Sequence, residues 1–202
     1  METPLPENKD LEHAWRSIHN FFDWYNFADA IKETESIIMS AAWHKFRFSS
    51  YPYHCIEFMN KLQDLVAAAF MIREDHLSGT ACVVHTPGGI PDLTLTQNFT
   101  DNYSTSTPWN NLPRHLTDMQ YADPFIAIEK FTGYATEAEW KRNCNYLAEY
   151  ALCNEPIDGQ FYCFELLNIR LHLLQLIEAC HLLEVRRNKK KKKKMKEKKI
   201  RN

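Results

Sequence analysis

The chain has 202 residues with 45% hydrophobic and 13% aromatic content, enough for one domain with a single sizeable core, which excludes intrinsic disorder as its general state. Its net charge of −2 conceals a division: residues 186 to 202 hold twelve Lys or Arg and one Glu (+11), and the remaining 185 residues hold twelve basic and twenty-five acidic groups (−13). Five glycines favour helices, and the longest wholly apolar run, Leu65 to Ile72, is far short of the ~20 residues that cross a bilayer, so no membrane partner is expected.

METPLPENKD at the start has neither a basic beginning nor an apolar signal core, so export by that route is not expected. From Asp10, Leu11, Trp15, Ile18, Phe22 and Tyr25 share a helical face. The pattern slips at Asn26 to Asp29 and resumes through Ile31, Ile37, Ile38 and Ala41 to about Phe46, as one long bent helix or two consecutive ones. Ser49 to Pro52 connects to a helix over 53–77, closed by Ser78-Gly79.

Residues 78–122 lack helical period and hold Gly88, Gly89 and four prolines. CVVH (82–85) and LTLT (93–96) flank the turn-rich TPGGIPD, which leaves room for a small β-hairpin. A loop this long often has a task, and it is the expected place for specificity. Asp123-Pro124 then starts a short helix that Gly133 should stop, and Thr136-x-x-Glu139 is a capping box opening a helix toward Asn154.

Phe161 to Arg187 is the central helix. Leu166, Ile169, Leu173, Leu176, Cys180 and Leu183 form its stripe, widened by Leu167, Leu171, Leu174 and Ile177, with Asn168, His172 and Gln175 as the wet edge. The expected fold class is therefore all-α: an antiparallel helical bundle of four or more helices with one long irregular loop, spanning 1–187 as one domain. Residues 188–202 are expected as a disordered Lys-rich tail.

NLPRHLTDMQYADPF, AEWKRNCNYLAEYAL and LLQLIEACHLLEVR resemble segments of an uncharacterised family of bacterial helical proteins, over roughly residues 62–186. The resemblance implies no activity. Six cysteines without a CxxC pair read as reduced thiols of a cytoplasmic protein, and the sequons at Asn98 and Asn102 as chance matches.

Four constellations could carry chemistry. Glu178 and His181, a Glu-x-x-His step, share a helix face in the way that di-iron bundles use, and Asp10 with His13 repeats the spacing. Solvated helix ends are the plainer reading, and neither metal nor cofactor is expected. Arg47 and His54 resemble the pair of HEPN-like helical ribonucleases, where imidazole moves a proton and guanidinium steadies phosphate; Phe48 directly after the arginine and Pro52 within the spacing depart from that pattern.

Arg170 and His181 lie about 20° apart in azimuth, as a polar pocket for an anion or as one satisfied ion pair with Glu57, Asp64 or Glu149. Lys189, Lys190, Lys191, Lys192, Lys193 and Lys194 would bind polyanions unspecifically. The chain has no phosphate loop, GxSxG elbow, HExxH or zinc-ligand spacing.

The expectation is a non-enzymatic interaction or regulatory protein, accessory to a mobile element or a nucleic-acid-associated complex, with a protein partner or self-association. A helical ribonuclease and a bundle that binds a small anionic ligand between the central helix and the 78–122 loop stand beside it.

Overall fold

The computed structural model describes residues 9–43, 48, 51–77, 112–153 and 163–201. The described residues are all-α: seven helices and no strand. The proposed hairpin lies outside them.

The aromatic first pattern and its continuation are two helices, α1 (Lys9–Trp24) and α2 (Phe27–Ala42). Asn26 separates them. Its extended backbone, with φ −64° and ψ 159°, leaves the helix, and its side-chain carbonyl accepts the Asp29 N–H at 2.9 Å, so a new helix starts without Gly or Pro. In α1 the buried residues are Ala14, Ile18 and Phe21, while Trp15 and Phe22, with Tyr25 just past the helix, are half-buried. The face is thus rotated about one residue from the stripe of largest side chains, because small Ala14 can sit where the helices press closest.

Helix α3 (Pro52–Leu77) opens on proline, whose missing N–H costs nothing in a first turn. The next helix was not expected. Thr117 and Gln120 form a reciprocal capping box that starts α4 (Asp118–Ala122), so the irregular segment ends at Thr117 rather than at 122. Asp123 caps α5 (Pro124–Tyr134) by accepting the Phe125 N–H at 3.1 Å. Gly133 is the last residue but one of α5, which ends at Tyr134, one residue past the expected stop. Thr136 and Glu139 cap α6 (Glu137–Leu152) as the sequence predicts. The Thr136 N–H and hydroxyl hold the Glu139 carboxyl below its ordinary range.

The last helix, α7 (Cys163–Arg201), packs against α1, α2, α3, α4 and α5. Its stripe Ile169, Leu173, Leu176, Cys180 and Leu183 is buried. It also continues as helix through the Lys-rich segment, where the charge run had suggested disorder. No Gly or Pro interrupts the chain after Cys163, and extending an existing helix costs far less than nucleating one. By length and composition Glu165–Asn188 could cross a membrane, which the count of unbroken apolar residues missed; 67% of its most apolar window is buried inside the protein.

Two packing centres surround α7. At one, Phe21 of α1 and Tyr25, one residue past its end, meet Phe58 of α3, with ring centres 6.0 and 5.0 Å apart. At the other, Phe131 of α5 stacks on Trp140 of α6 at 4.2 Å, and the Trp140 indole N–H donates to the Phe131 carbonyl at 3.2 Å.

Candidate functional site

The polar residues of α7 decide what chemistry the protein has available. Of the expected wet edge, Asn168 is exposed but His172 and Gln175 are buried, as is Glu178, whereas Leu167 and Leu171 of the widened apolar arc are exposed. The covering element is the segment around α4.

Glu178, placed by sequence on the solvent side, is 1% exposed. One carboxylate oxygen accepts the Arg114 N–H at 2.8 Å, and the other accepts the N–H groups of His115 at 2.8 Å and Leu116 at 3.0 Å. The His115 imidazole faces the first oxygen at 2.8 Å through Nδ1, the donor when the acid is ionised. A buried anion is tolerable when its lone pairs are filled in this way.

One turn earlier, the Gln175 amide donates to the His115 carbonyl at 2.8 Å. Two turns later, Arg186 donates to the carbonyls of Tyr121 and Ala122 at 2.5 and 3.0 Å, closing the end of α4. Gln175, Glu178 and Arg186 thus fasten residues 114–122 onto the core helix.

Beside this seam lies a cleft of about 360 Å³ between α2 and residues 112–115. Phe27, Ile31, Lys32, Glu35, Arg114 and Glu178 line it. Arg170 binds Glu35 on its rim, so the arginine has a carboxylate partner, though not Glu57, Asp64 or Glu149.

His181 is not beside Arg170. Its ring stacks on Phe27 at 4.6 Å and lies 4.9 Å from Phe22. Burial there pushes its pKa down from 6.5 to about 3. The folded protein therefore holds His181 neutral where the unfolded chain would protonate it, between pH 6.5 and about 3. Across that window the unfolded state binds more protons, so stability is full above pH 6.5 and falls as the pH drops. His172, also desolvated, shifts the same way. A lower urea midpoint at pH 5.0 than at pH 7.5 is expected, with a smaller difference in His181→Leu.

Asp10 and His13 do not meet Glu178 and His181. Antiparallel α1 sets Phe22 against His181, His19 against Glu184 at 2.8 Å, and Trp15 against Arg187 at 4.6 Å, so Asp10 and His13 lie further toward the Lys-rich end. Among the described residues no group of three or more His, Cys, Asp or Glu is placed to hold a metal ion. Cys55 and Cys144 are buried and their thiols are pushed up to about 12, which removes them as thiolate nucleophiles.

His54 stands exposed in the first turn of α3, between Tyr51 at 6.0 Å and Tyr53 at 6.1 Å. Arg47 lies outside the described residues, as do the side chains of Lys189 to Lys194. Tyr51 is 78% exposed, Tyr53 67% and Ile56 48% at the start of α3, and Trp43 at the end of α2 is 46% exposed. The reading of helical stripes passed over these residues because they lie at helix ends.

No protein-family model, curated protein or solved structure matches this chain.

Proposed function

We propose that this is a non-enzymatic interaction or regulatory protein, a cytoplasmic antiparallel bundle that meets its partner through the surface where α2 gives way to α3. The observation that supports it is the exposure of Trp43 at the end of α2 and of Tyr51, Tyr53 and Ile56 at the start of α3, in a protein that buries Trp140, Phe21, Phe58 and Phe131 completely. Tyr and Trp concentrate at binding surfaces because each offers a large rigid apolar area with a polar tip. In contrast, Glu178, Arg170, Arg186 and Gln175 are engaged in bonds that hold the fold.

A photo-crosslinking amino acid at position 53 tests this reading in cells. The expected result is a discrete adduct, lost when Tyr51 is also replaced by Ala; crosslinks no more abundant than those from an exposed control position such as Asn60 would overturn it. The cleft, in which Lys32 and Arg114 stand among Asp29, Glu35 and Glu178, leaves room for a second reading, a small ligand with an anionic group, for which the measurement is a ligand-dependent rise in melting temperature. A ribonuclease would instead lose RNA cleavage with His54→Ala.

A further inference from the structure

The start of α3 sets carboxylates among its exposed rings. Tyr53 and Glu57 are one turn apart on α3 and share a face. Glu57, Glu33 and Tyr53 all act on the Tyr25 hydroxyl, which burial first and then these groups push up to about 12. Glu33 and Glu57 are half-buried, and neither makes a hydrogen bond or an ion pair with another described residue. Lys61, a turn further along α3, is turned to the Trp24 ring instead. Burial raises the pKa of Glu33, which His54 and Lys32 offset only in part. A carboxylate drawn partly out of water without a paired cation is costly. With an exposed tyrosine ring beside it, it has the chemistry that takes a Lys or Arg side chain, by ion pair and by cation–π attraction.

The chain itself holds the fitting charge. Residues 189–201 carry ten Lys or Arg and one Glu (+9), against −13 for residues 1–185. Their own copy does not bring them to this surface. Phe22 stands beside His181 and Trp15 beside Arg187, so α7 runs past α1 away from Tyr25 and the groups gathered about it. At 1.5 Å per residue Lys189 is about 12 Å beyond His181, and the helix continues unbroken to Arg201, about 30 Å beyond it. We propose, resting on the interaction reading above, that the Tyr53 and Glu57 face of α3, with Glu33, receives the Lys-rich end of α7 from a second copy of the chain. Two such contacts, one in each direction, close a two-fold dimer.

The test is sedimentation velocity on the full chain from 50 to 500 mM salt. The expected result is a monomer–dimer equilibrium that weakens roughly tenfold or more across that range. Glu57→Gln, Tyr53→Ala and a full-length chain with Lys189 to Lys194 all changed to Gln each weaken it roughly five- to fiftyfold, with melting temperature unchanged. A chain carrying Glu33→Gln and Glu57→Gln, mixed with the chain whose six lysines are changed, associates more tightly than either does alone, because the mixed pair keeps one intact contact. A chain that stays monomeric at 50 mM salt, or association that the Glu57 and lysine variants leave unchanged, overturns the proposal. An adduct at position 53 that forms only with a different protein also overturns it, while the interaction reading stands.

Discussion

Glu178→Ala is expected to destabilise the protein by about 3–5 kcal/mol in urea unfolding, the range for removing one member of a buried charged network. The carboxylate accepts three consecutive backbone N–H groups, those of Arg114, His115 and Leu116, and an imidazole nitrogen. Alanine removes the acceptor that these donors use and leaves them under the covering segment without the carboxylate. Glu178→Gln keeps the volume but turns one acceptor oxygen into a donor that points at a donor, and about 1.5–3 kcal/mol is expected there. A local reading separates this from general damage: amide exchange at residues 114–116 should accelerate more than exchange in α3. Equal acceleration in both would mean that Glu178 supports the whole fold rather than the seam.

The second large effect lies at the other packing centre. Trp140 is fully buried, stacks on Phe131 and donates to its carbonyl. Trp140→Ala removes the largest of the fully buried side chains from between α5 and α6, and about 3–5 kcal/mol is expected from lost apolar burial and the remaining void. Trp140→Phe retains most of the stacking and loses the indole hydrogen bond, for about 1–2 kcal/mol. A cost for the phenylalanine variant close to that of alanine would show that the hydrogen bond, not the volume, holds the two helices together.

Much of the helical framework was legible before any coordinates. The stripe of α7, the Asp123 cap and the Thr136 capping box depend on neighbours within one or two turns, and local rules suffice for them. The Thr117 and Gln120 box obeys the same rule and was there to be read.

Glu178 was different. Its surroundings come from residues 62 to 64 positions away, so a helical wheel drawn for α7 alone assigns it to water. The polar set Gln175, Glu178 and Arg186, embedded in an apolar arc, was the available hint that something polar covers that side. Arg170 shows the same limit, since its need for a carboxylate was legible but Glu35 was not the acid expected. Trp43, Tyr51 and Tyr53 escaped because they lie at helix ends, where a search for periodicity has no stripe to follow.

The final helix is a single rod of 39 residues, about 58 Å long, with no Gly or Pro along it. It carries Glu178 in its buried portion and the lysines on its last turns, with no swivel between them. A group held anywhere along residues 189–201 would therefore share one helix axis with the turn that carries Glu178.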